Sequence, residues 1–250
     1  MQILVDTHIH SVASGHAYST IQEIAAAASK KGLKIAAITD HGPEMKGAAS
    51  VIYFGNYRVI PENIYGVRIL KGIEANIIDY DGNIDLPVKY LKKMEFVIAS
   101  LHEIIIQPST MEDHTNAFVN VLKNPYIDAV GHPGNPVYKI DIEKVVATAK
   151  EYNKLIEINN SSFRVRKGSY ENCKNILKKC KEYRTRVVCG SDAHISFDVG
   201  VFDKVNQMLQ EVDMPEELVL SVSPRRFEDY LIERKNRLEN VGQGAFVPAL

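Results

Sequence analysis

The sequence begins MQILVDTHIH (residues 1–10), a short apolar segment that carries His8 and His10, and His16 follows within SVASGHAYS (residues 11–19). In a β-strand, successive side chains point to opposite faces, so residues two apart point the same way. If this segment is a strand, the imidazoles of His8 and His10 converge on one point. That geometry is typical of metal ligands.

Similar segments recur along the whole chain and alternate with helical patterns. Seven strands are predicted: ILVDTHIH (3–10), KIAAITDH (34–41), RILKGIEANI (68–77), EFVIASLH (95–102), DAVGHPG (128–134), LIEINN (155–160) and VVCGSDAH (187–194). Such alternation is typical of βαβ units, whose strands form a parallel sheet. No Gly/Ser linker, charge block or low-complexity segment interrupts it, so we expect one domain over residues 1–250.

Three of the intervening helices have clear signals. TIQEIAAAASKKG (20–32) begins with a capping box of Thr20 and Glu23, and Asp141 can cap DIEKVVATAKEYN (141–153). SPRRFEDYLIERKNRLE (223–239) is predicted to form the last helix. The tail VGQGAFVPAL (241–250) is expected to be loosely held.

Composition excludes several classes of protein. The 250 residues are 45% hydrophobic and 24% charged, which is ordinary for a globular domain. The formal net charge of -1 argues against nucleic acid as a partner, and no apolar run approaches the roughly 20 residues of a membrane-spanning helix. Cys173, Cys180 and Cys189 are odd in number and form no C-x-x-C pair, so we expect reduced thiols and a cytoplasmic protein.

Polar residues cluster where the predicted strands end. In α/β barrels and open parallel sheets, the loops at the carboxyl ends of the strands form the active site. The residues expected at this edge are His8, His10, His16, His41, Glu74, His102, His132, Asp192 and His194. Seven of the eight histidines therefore lie at or beside one rim.

A single histidine at a strand end is usually hydrogen-bonded and binds no metal. Seven converging imidazoles disfavour one another's charged forms, and a multinuclear metal site uses their lone pairs. His114 is the exception, because it aligns with apolar residues on a predicted helix, and we expect a structural role for it. Asp6 and Asp40 are predicted to lie outside the ligand set, where they orient histidines or bind backbone groups.

The motifs HIH, TDH, GIEANI, GHP, INNSS and GSDAH, together with His16 and the SLH end of the fourth strand, resemble the PHP (polymerase and histidinol phosphatase) superfamily. They follow the expected order over nearly the whole chain. GHPGNP, INNSSF, RKGS and VSPRR most resemble its stand-alone bacterial YcdX-type branch of probable phosphatases. The resemblance implies a distorted (β/α)7 barrel, an α/β TIM-like fold, in agreement with the seven predicted strands.

The resemblance also implies a ligand set for three divalent metal ions. One ion would be held by His8, His10, Glu74 and Asp192. Glu74 would bridge to a second ion held by His102 and His132, and the third would be held by His16, His41 and His194.

This ligand set predicts a chemistry. Its nitrogen-rich composition favours zinc, or else manganese or iron, over magnesium and calcium. Three divalent ions and two carboxylates leave about four positive charges, which favours an anionic substrate such as a phosphate ester. We predict a phosphatase that hydrolyses a small phosphomonoester by metal-bound hydroxide, without a phosphoenzyme, and its predicted catalytic residues are Glu74, Asp192 and His194.

Basic residues after the sixth strand are candidates for binding phosphate. Arg166 is the predicted substrate-binding residue, whereas Arg164 and Lys167 are expected to be solvated. Arg225 and Arg226 are expected to form the start of the last helix or a surface pair. The loop GPEMKGAASVIYFGN (42–56) is either a mobile lid or core packing.

Other functions remain open at this point. A phosphodiesterase or single-strand exonuclease of the PHP type is the first alternative, although the chain has no basic, aromatic-rich track for nucleic acid. An amidohydrolase also carries H-x-H on its first strand, and a non-catalytic metal-binding protein is a further alternative. No membrane partner is expected, and a homo-oligomer remains possible.

Overall fold

The structure is a computed structural model that describes residues 1–241. Its strands are β1 (Val5–Ile9), β2 (Ile35–Ile38), β3 (Asn63–Ile64), β4 (Val67–Asn76), β5 (Phe96–Ser100), β6 (Ala129–Val130), β7 (Leu155–Asn159) and β8 (Val187–Gly190). All seven predicted strands are present, and β3 is an addition. Residues 242–250 of the tail, and with them the end of the predicted domain, lie outside the described residues.

Seven of these strands run parallel in one sheet, in the order β1-β2-β4-β5-β6-β7-β8. The short β3 pairs with the beginning of β4 in the antiparallel direction. Because the neighbours in the sheet are successive parallel strands, each connection crosses over outside the sheet. The sheet and its crossover helices form the predicted TIM-like α/β barrel.

The helices are α1 (Ile21–Lys30), α2 (Val51–Gly55), α3 (Val88–Leu91), α4 (Met111–Lys123), α5 (Ile142–Glu151), α6 (Ser162–Val165), α7 (Ser169–Tyr183), α8 (Asp203–Glu211) and α9 (Pro224–Val241). The predicted capping box of Thr20 and Glu23 begins α1, and Asp141 caps α5. The predicted last helix is α9. Within residues 1–241, no helix combines the length and the apolar character needed to cross a membrane.

The barrel closes where β1 meets β8. At the carboxyl end, Asp192 N donates to His8 O at 2.8 Å. At the amino end, Leu4 N donates to Ser221 O at 2.8 Å, so the segment before α9 fills the gap beside β1. The closure at the carboxyl end brings the candidate ligands of the first and last strands together.

The interior face of the barrel is apolar at its amino end and polar at its carboxyl end. Side chains alternate along a strand, so Leu70 and Glu74 of β4 share one face. Leu70 packs in the apolar interior cluster, and Glu74 lies further along at the carboxyl end. Leu155 and Glu157 of β7 repeat this arrangement, and each glutamate is only 1% exposed.

Helix α9 seals the amino end of the barrel. Phe227 and Tyr230 are buried in the interior cluster, next to the buried carboxylate of Asp128. Asp128 accepts hydrogen bonds from Arg234 Nε at 2.6 Å and from Arg237 Nη2 at 2.7 Å. Burial opposes the ionised form, but the two guanidinium groups outweigh it and hold the pKa of Asp128 below its usual value. One ionised carboxylate therefore joins two guanidinium cations.

Asp128→Asn should destabilise the fold by about 3–5 kcal/mol, because the guanidinium groups lose their buried counter-charge. Urea unfolding at neutral pH measures the free energy of unfolding. Since the folded-state pKa is lowered, the wild-type advantage should be complete above the usual carboxyl pKa of 3.8 and disappear as pH falls below it. An unchanged free energy of unfolding at neutral pH would contradict this account.

Candidate metal centre

All nine predicted ligands lie together at the carboxyl end of the barrel. Two of them lie within strands, His8 in β1 and Glu74 in β4. The others lie in loops that follow strands: His10 and His16 after β1, His41 after β2, His102 after β5, His132 after β6, and Asp192 and His194 after β8. The strands end earlier than predicted. The hydrogen bonds between neighbouring strands stop before most of the predicted ligands, which therefore lie in loops.

The carboxylate of Glu74 lies at the centre of the group. Five histidine nitrogens surround its two oxygens: His41 Nδ1 at 2.8 Å, His132 Nε2 at 2.9 Å, His102 Nε2 at 3.2 Å, His8 Nε2 at 3.3 Å and His10 Nε2 at 3.5 Å. Each oxygen is shared between several nitrogens. A carboxylate that bridges two ions needs other ligand atoms near both of its oxygens, and Glu74 meets this requirement.

Asp192 approaches the same group from the loop after β8. Its Oδ1 lies 3.2 Å from His10 Nε2, whereas its Oδ2 faces Arg166 Nη1 at 3.4 Å. The backbone of Asp192 is left-handed, with φ of 54°, and its N–H bond to His8 O holds that conformation. Asp192 therefore connects the histidine cluster to the predicted substrate-binding arginine.

His16, His41 and His194 form a group of imidazoles beside the carboxylates. The ring centroids of His16 lie 5.0 Å from those of both His41 and His194. Three overlapping sets have ligand atoms within 4.8 Å of one another: His8, His10 and Glu74; His41, Glu74 and His102; and His10, His41 and His194. The last set contains His10 where the resemblance implies His16, so the assignment of ligands to individual ions stays a prediction.

Four of the histidines predicted as ligands are anchored through Nδ1. The partners are Glu157 Oε1 for His8 (2.7 Å), Ser14 Oγ for His10 (3.0 Å), Asn76 Oδ1 for His102 (2.7 Å) and the backbone oxygen of Asp192 for His194 (3.0 Å). Each partner can accept the Nδ1 proton. The Nε2 lone pair of each ring is then available to an ion.

Asp40 and Asp6 have the supporting positions predicted for them. Asp40 accepts hydrogen bonds from Ser14 Oγ and Tyr53 OH, both at 2.7 Å. Because Ser14 gives its only proton to Asp40, its oxygen must accept from His10 Nδ1. Asp6 accepts backbone N–H groups from His8, Ser191 and Gly200.

Glu157 contacts the centre from β7 but was not among the predicted site residues. Its carboxylate accepts hydrogen bonds from His8 Nδ1 and from His132 N, both at 2.7 Å. A signal was present in LIEINN, because a charged residue in a parallel strand that is buried on both faces needs a buried partner. No local pattern in the sequence indicates which residue that partner is.

The charges of the centre suit a cation. Burial and the neighbouring His41 lower the pKa of His10 well below its usual value, and burial and Arg166 lower that of His132 to about 4. Burial opposes ionisation of Glu74, but the nearby histidines, His8 foremost, outweigh it and hold the pKa of Glu74 well below normal. The group therefore offers ionised carboxylate oxygens beside the neutral imidazoles of His10 and His132.

Unsatisfied polar atoms support the same conclusion. His41 Nδ1, His102 Nε2 and Glu74 Oε2 are buried, and no residue among 1–241 gives them a hydrogen bond. His41 Nδ1 lies only 2.8 Å from Glu74 Oε2, yet the pair lacks hydrogen-bond geometry. Buried polar atoms without partners are costly, and divalent ions satisfy such lone pairs directly. The residues present therefore suit bound metal ions.

A cavity of about 790 Å³ opens above the ligands. Met45, Leu101, Ile104 and Val165 form apolar parts of its lining, and Lys46, Arg164 and Arg166 form basic parts. Arg166 is mostly buried and is held by Ser162 Oγ at 2.9 Å, whereas the exposed Arg164 pairs with Asp198 at 3.0 Å. Of the two arginines, Arg166 is the one fixed against the ligand cluster.

Parts of the loop after His41 are packed into the protein. Phe54 is fully buried, and Tyr53 donates to Asp40. Gly15 and Gly47 lie in close contact, because a Cβ on Gly15 would come within 2.2 Å of Gly47 O. Only Met45 and Lys46 of this loop line the cavity. These contacts favour core packing over a lid for its aromatic residues.

His114 has the structural role predicted for it. It is buried in α4, outside the cluster. Its Nε2 accepts from Ser109 N at 2.8 Å, and its Nδ1 lies 2.9 Å from Lys139 O. Both ring nitrogens are therefore satisfied by the backbone.

Comparisons with known proteins identify the family of this chain. The sequence profile of the PHP domain matches residues 6–164. A probable phosphatase from Acetivibrio thermocellus is 59% identical over 238 residues, which are 95% of this chain and 99% of that protein. A probable phosphatase from a Thermoanaerobacter species is 54% identical over 240 residues, covering 95% and 98% of the two chains.

Solved structures show the same fold at low sequence identity. The histidinol phosphate phosphatase of Lactococcus lactis, solved with zinc, L-histidinol and phosphate, is similar with a TM-score of 0.58 and 15% identity, over 86% of this chain and 95% of that chain. A putative histidinol phosphatase from Listeria monocytogenes gives a TM-score of 0.53 and 15% identity, over 78% and 97%. From the matched profile and the close relatives, this chain belongs to the PHP domain family.

Proposed function

We propose that the protein is a phosphatase that uses three divalent metal ions, zinc in the first place, to hydrolyse a small organic phosphomonoester. The observation that carries this proposal is a cluster of seven imidazoles and two carboxylates that opens into a cavity beside Arg166. Six of the nine side chains are buried, whereas His102 and His194 are partly buried and His16 is exposed. Relatives that share 54–59% identity over nearly their whole length are named probable phosphatases, which supports the reaction class.

The proposed ligands are those implied by the family resemblance. His8, His10, Glu74 and Asp192 hold one ion; Glu74, His102 and His132 hold the second; and His16, His41 and His194 hold the third. The central position of Glu74, between nitrogens of the first two groups, supports its role as a bridge. Neutral imidazoles suit zinc, with manganese and iron as the alternatives.

Bound divalent ions would supply Lewis acidity, which activates water at neutral pH and neutralises charge on a phosphoryl group. The chain's own residues orient the reaction. Arg166 is held at the cavity wall by Ser162 and Asp192, where its guanidinium can bind phosphoryl oxygens. The backbone oxygen of Asp192 fixes the ring of His194. Glu74, Asp192 and His194 are the proposed catalytic residues.

The size of the cavity favours an organic phosphate over inorganic phosphate alone. A cavity of about 790 Å³ is in the range that accommodates whole small-molecule ligands. Its apolar lining, with Ile104 and Val165 near the opening, gives the organic part of the ester a surface to contact. The substrate we propose is a small phosphorylated metabolite, in a cytoplasmic enzyme that does not act on nucleic acid.

Phosphate release from a matched panel of monoesters and diesters tests this function. Protein stripped by a chelator should be inactive, and zinc, manganese or iron should restore turnover of monoesters, because activated water requires the ions. His194→Ala should lower kcat/KM by at least about 100-fold, which corresponds to a loss of roughly 3 kcal/mol of transition-state stabilisation. The panel is read by release of inorganic phosphate.

The alternatives give different results in the same assay. Cleavage of diesters without monoester turnover would favour a phosphodiesterase or exonuclease. If metal-loaded protein releases phosphate from neither ester class, a non-catalytic metal-binding protein is favoured. Either result would overturn the proposal.

Arg166→Met should raise KM for monoesters by about 10–100-fold, because a charge-assisted hydrogen bond to phosphate contributes roughly 1.5–3 kcal/mol. Arg164→Met is the matched control, since Arg164 lies two residues before Arg166, within α6, but is exposed and paired with Asp198. It should change KM by less than about threefold. Equal effects of the two substitutions on KM would contradict the assignment of Arg166.

A further inference from the structure

Glu157 lies outside the proposed ligand set, yet its carboxylate is bound to two ligands at once. Oε1 lies 2.7 Å from His8 Nδ1, and Oε2 accepts the backbone N–H of His132 at 2.7 Å. Asn159 Nδ2 lies 3.3 Å from both oxygens, and the glutamate side chain is fully buried. Both carboxylate oxygens are therefore engaged within the protein.

The contact with His8 determines where the proton of that ring lies. An ionised carboxylate only accepts hydrogen bonds, so Nδ1 of His8 carries the proton. The Nε2 lone pair is then directed at the cluster, where it lies 3.3 Å from Glu74 Oε2. Glu157 thus keeps His8 in the tautomer that can bind an ion.

The contact with His132 holds its backbone. His132 has a positive φ of 32°, an uncommon conformation for a residue with a side chain. The hydrogen bond from its N–H to Glu157 holds the turn that leaves β6, and His132 Nε2 reaches Glu74 Oε1 at 2.9 Å. The same carboxylate therefore positions a ligand of each of the first two ions.

Gly190 leaves the space that Glu157 needs. A Cβ at this position would lie 2.1 Å from Glu157 Oε1 and 2.5 Å from the Cβ of His8. Any larger residue at Gly190 would therefore displace the carboxylate or the histidine. The end of β8 is shaped around the contact between His8 and Glu157.

We propose that Glu157 is a positioning residue that couples the first two metal positions, the one that contains His8 and the one that contains His132. This inference rests on the proposed metal binding. The position formed by His16, His41 and His194 has no contact with Glu157 among the described residues. Loss of Glu157 should therefore weaken the binding of ions at the two coupled positions and leave the affinity of the third position unchanged.

Glu157→Gln is the most informative substitution, because an amide of the same shape cannot serve both donors. If its oxygen accepts from His8 Nδ1, its NH₂ group opposes the N–H of His132. If the amide turns over, its NH₂ group donates to His8 Nδ1 and moves the ring proton to Nε2, which blocks metal binding. Either orientation impairs one of the two coupled positions.

Competition for zinc between the intact protein and a chromogenic chelator measures each affinity without any substrate. We expect Glu157→Gln to bind at least one of the two coupled ions about 10–100-fold more weakly, as is typical when a supporting partner of a ligand histidine is lost. The third ion should keep its wild-type affinity. Gly190→Ala, which crowds the contact between Glu157 and His8 but retains the charge of the carboxylate, should give the same pattern.

Asp128→Asn is the matched control, since it also removes a buried carboxylate from the barrel, but at the opposite end. It should lower the unfolding midpoint and leave all three zinc affinities unchanged. Unchanged affinities in Glu157→Gln, or an equal loss at all three positions, would overturn this inference while leaving the proposed function intact. Wild-type protein that binds none of zinc, manganese and iron would overturn both.

Discussion

The constraint on which this structure depends is the burial of the Glu74 carboxylate within 3.5 Å of five histidines. Buried charges are stable only when they are paired and hydrogen-bonded, so strands β1, β4 and the loops after β2, β5 and β6 must all meet at one depth. Closure of the barrel between β1 and β8 adds Asp192 to the group. The carboxyl end of the barrel interior is therefore occupied by paired polar and charged side chains, whereas the remainder is filled mainly by packed apolar side chains.

Much of this arrangement follows from the sequence, for a physical reason. Parallel strands are buried on both faces, so histidines that recur at their carboxyl ends have few explanations other than a shared site. The pair His8 and His10 could be recognised from spacing alone, because residues two apart share a face. The order of the seven strands follows from the same regular alternation of strand and helix.

What the sequence could not provide are contacts between distant residues. In the sequence, nothing indicates the partner of Glu157. Its role depends on contact with His8 of β1, which lies 149 positions away in sequence. Asp128 and Arg234, which are 106 positions apart, seal the amino end by a pairing that no local pattern indicates. The strands were also predicted too long, since β6 spans only Ala129–Val130 and its ligand lies in the following loop.

The central claim is that the nine clustered side chains hold three metal ions, and X-ray anomalous scattering at the zinc edge tests it most directly. Crystals of protein loaded with zinc should show three anomalous peaks, all enclosed by these nine residues, with Glu74 between two of them. A single peak, or peaks away from Glu74, would contradict the account.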